Sequence, residues 1–152
     1  MCVIVDANLA SKVFSRTLAD PEFKPVLRWL YHGEGILVYG GHNEKELRII
    51  GDAAAAITEL HRSGKAVPFG SAELAPQEAY LRKQGIKSND PHVLALARVS
   101  RARTLVSHDK PLHDDFKNLA LVPSPRGMIY QNSSHQKCLK HTEGCCKKKH
   151  NK

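Results

Sequence analysis

The chain has 152 residues, 41% of them hydrophobic and 25% charged, with a formal net charge of +8. That length suits one compact domain with a core large enough to stand without a disulfide or metal staple, and no apolar run approaches the roughly 20 residues of a membrane span. The opening MCVIVDAN has no basic lead and is broken by an aspartate at position 6, so it reads as a buried strand and not as a secretory leader.

Residues 2–5, CVIV, form a short apolar run of the kind found in central parallel strands, with Asp6 at its carboxyl end. A helix is expected from about Asn8. An amphipathic segment carrying Leu27, Trp29, Leu30 and Tyr31 follows and is closed by Gly33 and Gly35. Residues 36–41, ILVYGG, make a second buried strand. The next helix is expected to be the longest, from about Asn43 to His61, with Ile50, Ala53, Ile57 and Leu60 along one face at helical spacing. Residues 66–69 are strand-like but interrupted by Pro68. Helices are expected over 71–85 and from Asp90, where Pro91 suits the first turn. Strands are expected at 104–108, 119–122 and 127–131, with a short helix at KPLHDDFKN.

Apolar strands alternating with helices predict an α/β fold whose mostly parallel sheet is covered on both faces. The domain is expected over 1–131. Residues 132–152 turn polar and rich in Lys, Cys and His, and a flexible tail is expected there. Residues 131–152 hold six Lys and one Glu, a net +5, which leaves 17 Lys and Arg against 14 Asp and Glu, a net +3, for the rest. A basic surface favours an anionic partner such as nucleic acid. Of the four cysteines, Cys138, Cys145 and Cys146 crowd the tail and only Cys2 lies elsewhere. This usage predicts a reducing, cytoplasmic setting with no membrane association.

In open α/β sheets, ligands bind outside the carboxyl ends of the strands. Asp6 ends the first strand, Asp109 ends the TLVSH strand, and Asp90 opens the helix before it. The three are expected to converge on one edge. Each also has a plainer role as a turn residue or helix N-cap. From the long helix, Glu46 heads the stripe through Ile50, Ala53, Ile57 and Leu60, whereas Glu44 falls off it. Glu46 is therefore either the inward carboxylate or the third member of a capping box opened by Asn43. Ionised carboxylates crowded in one cleft repel one another, and a hard cation such as Mg2+ or Mn2+ relieves this. Beside a basic surface, the fitting substrate is a phosphodiester.

VIVDAN, NEKEL and NDPHVLALARVSRARTLVSHD together resemble the PIN-domain nucleases. The resemblance covers about residues 2–122. It implies a Rossmann-like three-layer α/β/α sandwich with a four-carboxylate Mg2+ or Mn2+ site. It implies metal-dependent endoribonuclease activity, with Asp6, Glu46, Asp90 and Asp109 in metal ligation and water activation. By the same resemblance, Asn8 orients an acidic side chain, Ser107 stands where the family often has a small hydroxyl residue, and Asp114 or Asp115 is either an outer ligand or exposed helix charge. Small stand-alone members of this kind resemble the ribonuclease toxins of bacterial toxin–antitoxin pairs, which adds an antitoxin-like inhibitory protein and a homodimer to the expected partners besides RNA. The rival reading is an RNA-binding module with an inert acidic pocket. An aspartate-nucleophile phosphatase is disfavoured, because Asn8 stands where the second aspartate would be.

In the tail, Cys138, His141, Cys145 and Cys146 have spacings compatible with a small Zn2+ site. The plainer alternative is a flexible basic tail in which Lys147, Lys148 and Lys149 hold phosphate. Arg16, Arg101 and Arg103 are further candidates for nucleic-acid contacts. For Arg101 and Arg103 the alternative is a helix C-terminus, where cations suit the macrodipole.

Overall fold

The computed structural model describes residues 2–17 and 20–139. Five strands, β1 (Cys2–Val5), β2 (Ile36–Gly40), β3 (Ala66–Phe69), β4 (Thr104–Val106) and β5 (Met128–Tyr130), form one sheet of order β3-β2-β1-β4-β5. Every neighbouring pair is parallel. All four residues of β1 are buried, and alternate side chains serve opposite faces. Val3 and Val5 pack with α1 (Ala7–Phe14), α2 (Lys24–His32), α3 (Gly41–Ile49) and α4 (Gly51–Arg62). Cys2 and Ile4 pack with α5 (Ser71–Arg82), α6 (Pro91–Ser100) and α7 (Lys110–Lys117). The result is the expected α/β class, a Rossmann-like three-layer sandwich. Among the described residues, no helix is long and apolar enough to cross a membrane.

Pro68 does not break β3, because β3 is an edge strand, where a missing donor is tolerated. The long helix expected over 43–61 is two helices. Ile50 between them is extended, at φ −90° and ψ 112°. Ala53, Ile57 and Leu60 are the buried stripe of α4, whereas α3 buries Asn43 and Leu47. The period therefore ran unbroken through a junction where a β-branched residue meets Gly51, both weak helix formers. Residues 119–122 form a turn and not a strand. Leu121 and Val122 are buried, but their N–H groups donate to the carbonyl of Asn118 and not to a neighbouring strand.

The packed structure continues beyond residue 131. Ser133–Cys138 form a 3-10 helix against β5 and α2. Ser133 N and Oγ each donate to Glu22 Oε1 at 2.9 Å. Cys138 is buried, its thiol donates to the Ile129 carbonyl, and burial pushes its pKa up, so it stands as a core thiol and not as an exposed ligand. His141, Cys145, Cys146, Lys147, Lys148 and Lys149 lie outside the described residues. Cys138 is a free cysteine.

One backbone position governs how α3 meets the sheet. Gly40 ends β2 at φ 156°, and a Cβ there would lie 2.2 Å from the Phe69 carbonyl oxygen on β3. Gly41 follows at φ 57°, and the helix begins at once. This sharp turn launches α3 from the sheet's carboxyl edge. Gly40→Ala should destabilise the protein by about 2–4 kcal/mol in a denaturant titration, since both backbone and neighbour oppose it. A loss below about 0.5 kcal/mol would show that the turn is not constrained in this way.

Candidate metal centre

Strand order runs β1-β2-β3 in one direction and β4-β5 in the other, so β1 and β4 flank the point where it reverses. The crevice outside their carboxyl ends is the favoured ligand position in an open α/β sheet. Asp6 directly follows β1, and its backbone N–H donates to the Val106 carbonyl at the end of β4 at 3.0 Å. Its side chain is nearly buried, with the residue 7% exposed. Oδ1 accepts from the Asn8 backbone N–H at 3.2 Å, and Oδ2 accepts from Ser107 Oγ at 2.9 Å. The Asn8 contribution is thus made by its amide while its side chain is exposed.

Ser107 links two of the acids. Its hydroxyl donates to Asp6 and accepts from the Asp109 backbone N–H at 3.0 Å. Ser107 is itself held on both sides. Its N–H donates to the Tyr130 carbonyl, and its carbonyl accepts from His113 Nε2 at 2.8 Å. Facing a carbonyl, His113 Nε2 is the donor, and burial lowers the ring's pKa. Asp109 is the N-cap of α7 and accepts from Leu112 N–H at 3.4 Å.

Asp90 occupies the N-cap position of α6 but makes no side-chain cap hydrogen bond. The expected capping role is therefore absent. Burial and the charges of Asp6 and Asp109 raise its pKa instead. The loop that delivers it is clamped by Asp115. That side chain, 2% exposed, accepts from the backbone N–H groups of Lys87 and Ser88 at 2.8–3.1 Å. Asp115 is neither an outer ligand nor exposed helix charge. It is an acceptor for loop amides. Asp114 is the exposed one, paired with Lys87.

Glu46 and not Glu44 acts on Asp6, through its charge. Glu44 is tied to Arg48 at 2.7 Å along the helix surface, whereas Glu46 is close enough to raise the pKa of Asp6. The capping-box alternative fails, since the N-cap of α3 is Gly40 and Asn43 lies inside the helix. Asn43 is fully buried and donates from Nδ2 to the Val5 carbonyl at 3.2 Å, which ties α3 to the end of β1. Its Oδ1 is the buried side-chain acceptor among the described residues that has no partner. Two histidines that sequence reasoning passed over flank Glu46. His92 Nε2 is 3.1 Å from Oε1, and His42 Nε2 is 3.5 Å from Oε2. His42 was legible as the residue four positions before Glu46 on one helix face. His92, across the site from α6, left no local signal.

Burial, first, raises the pKa of Asp6 from the ordinary 3.8. The Asn8 and Ser107 hydrogen bonds oppose this, and the charges of Asp109 and Glu46 add to it. Burial likewise raises Asp90, His92 opposes, and Asp6 and Asp109 add. The charges acting on Asp6 and Asp90 are thus those of the neighbouring acids and, on Asp90, of His92. Carboxylate oxygens suit a hard divalent cation by donor type, but the side chains among the described residues whose ligand atoms lie within 4.8 Å of one another are His42, Glu46 and His92, and not the aspartates.

The arginines expected on nucleic acid divide. Arg103 is buried and spends its guanidinium on the carbonyls of Ala97, Ala102 and Pro123 at 2.7–2.9 Å. It closes the C-terminus of α6 and is not a phosphate contact; burial lowers its pKa. Arg16 is exposed but paired with Glu59. Arg101 is exposed at the helix end, in a left-handed conformation at φ 67°. A groove of about 380 Å3 between α2 and the 3-10 helix, lined by Arg28, Trp29, His32 and Leu139 among others, contains no carboxylate.

The chain matches no family model, no curated protein and no solved structure. The PIN-domain resemblance therefore rests on the quoted motifs.

Proposed function

We propose that the chain is a PIN-type, metal-dependent endoribonuclease whose active centre is Asp6, Glu46, Asp90 and Asp109. What supports this reading is the placing of Asp6, Asp90 and Asp109 at the β1/β4 switch point, where their charges and that of Glu46 act on one another and the pKa values of Asp6 and Asp90 are raised from the ordinary 3.8. A stability-driven fold does not gain from such crowding, and perturbed carboxylates in a crevice mark functional sites.

When bound, Mg2+ or Mn2+ would supply charge against the phosphodiester and lower the pKa of a coordinated water. The four carboxylates would hold it. Ser107 fixes the rotamer of Asp6 and the backbone of Asp109, and Asp115 sets the loop that presents Asp90. These contacts hold Asp6, Asp109 and the loop of Asp90 in place, and the carboxylates would close further on a loaded ion. The mildly basic body and basic C-terminal segment favour a polyanionic substrate.

The test is incubation of structured and single-stranded RNA with the purified full chain in Mn2+, in EDTA, and with Asp109→Asn. Cleavage in Mn2+ alone, lost in both controls, supports the reading. RNA that binds with strong salt dependence yet stays intact under every condition would instead identify a non-catalytic RNA-binding module.

A further inference from the structure

We infer that His42, Glu46 and His92 form a second metal site, selective for a borderline divalent ion of the Zn2+ class and sharing Glu46 with the carboxylate cluster. The inference does not depend on the ribonuclease reading, because it stands on geometry and donor type alone.

The three ligand atoms lie within 4.8 Å of one another. His42 and Glu46 are four residues apart on α3, so they rise from the same helix face, and His92 meets them from the first turn of α6. Both imidazoles present Nε2 to the one carboxylate, at 3.1 Å from His92 to Oε1 and 3.5 Å from His42 to Oε2. With metal–ligand bonds of about 2.0–2.2 Å, tetrahedral ligands stand roughly 3.3–3.6 Å apart, so each imidazole already stands near that spacing from one Glu46 oxygen and loading must draw the whole set in from within 4.8 Å.

The scaffold is stiff where the site needs it. Gly40 fixes the launch of α3, and buried Asn43 ties that helix to β1. The His92 side chain is 8% exposed, while those of His42 and Glu46 are 60% and 37% exposed, which leaves an entry path. The two rings stand edge to face, 4.7 Å between centroids. Asp90 Oδ1 lies 4.0 Å from His92 Nε2 and joins the two sites.

Ligand chemistry separates the two sites. Two imidazole nitrogens and one carboxylate suit Zn2+, Co2+ or Ni2+ better than Mg2+, whereas an all-oxygen set suits Mg2+ or Mn2+. Three protein ligands leave a position open for water or substrate, as in catalytic rather than structural zinc sites.

The experiment is a Zn2+ titration of the untagged full chain, read by the imidazole 15N resonances of assigned histidines. That readout separates this site from ligands elsewhere in the chain, Cys145 and Cys146 included. The expected result is that the Nε2 signals of His42 and His92 shift together and saturate together. His42→Ala, at an exposed position, should weaken the His92 response by at least about tenfold. An Asp6→Asn/Asp109→Asn double variant should retain it. Glu46→Gln, which keeps the shape, should also weaken it. Zn2+ that leaves both ring signals unmoved would overturn the inference. So would a His92 response that survives His42→Ala, or one lost in the Asp6→Asn/Asp109→Asn variant, which would place the ion in the carboxylate cluster.

Discussion

Replacing Asp6, Asp90 or Asp109 singly by asparagine should lower Mn2+-dependent RNA cleavage by about 10²–10³-fold or more, a loss of the size seen when a charge-stabilising group is removed from an active site. The folds should survive. Asp6 and Asp109 accept backbone N–H groups at the starts of α1 and α7, and asparagine is as good an N-cap as aspartate. Asp90 makes no cap bond at all, so Asp90→Asn changes charge with the least structural consequence. Thermal melts of each variant provide the control. Full activity in any one of the three would remove that residue from the centre. Full activity in all three would end the nuclease assignment to this site.

The second large effect is on stability, and its sign is the informative part. Asp6 and Asp90 have folded pKa values raised above the ordinary 3.8 of an aspartate. The folded state therefore holds more protons than the unfolded chain in the window above that value. Stability is unaffected below the unfolded pKa and is lost as pH rises through the raised folded values. In EDTA the wild-type protein should melt at lower temperature at pH 7 than at a pH just above 4, as far as these two groups decide it. Asp90→Asn should raise the metal-free melting temperature at pH 7. Mn2+ should reverse the pattern, since loading requires ionised ligands. At about 100 times its dissociation constant, a ligand adds about 2.7 kcal/mol, or roughly 5–10 °C for a domain of this size. Wild type should gain that shift and Asp90→Asn most of it should lose. Mn2+ that leaves the wild-type melt unchanged, or stabilises Asp90→Asn equally, would contradict the shared-site account.

Much of this was legible because period and punctuation are local. The apolar run at 2–5 and its aspartate, the glycine pair after β2, and Pro91 after Asp90 each state a strand end or helix start in a few residues. Parallel pairing then puts Asp6 and Asp109 on one edge. What failed was also local. The stripe from Glu46 through Leu60 keeps helical spacing across Ile50, where the chain is in fact extended, so Glu46 reaches the centre from a separate short helix. Burial that depends on distant partners left no trace. Asp115 reads as surface charge until the loop at 87–88 folds onto it, and Arg103 reads as a surface cation until three carbonyls enclose it. His92 meets Glu46 across 46 positions of chain, which no spacing rule reaches.

The most direct test of the carboxylate centre is anomalous scattering from a crystal of the full chain soaked in Mn2+. The account predicts a peak at the carboxyl ends of β1 and β4, with oxygens of Asp6, Asp90 and Asp109 bonded to it directly or through water and Glu46 facing it. A peak confined to other surfaces, with these four side chains unliganded, would contradict it.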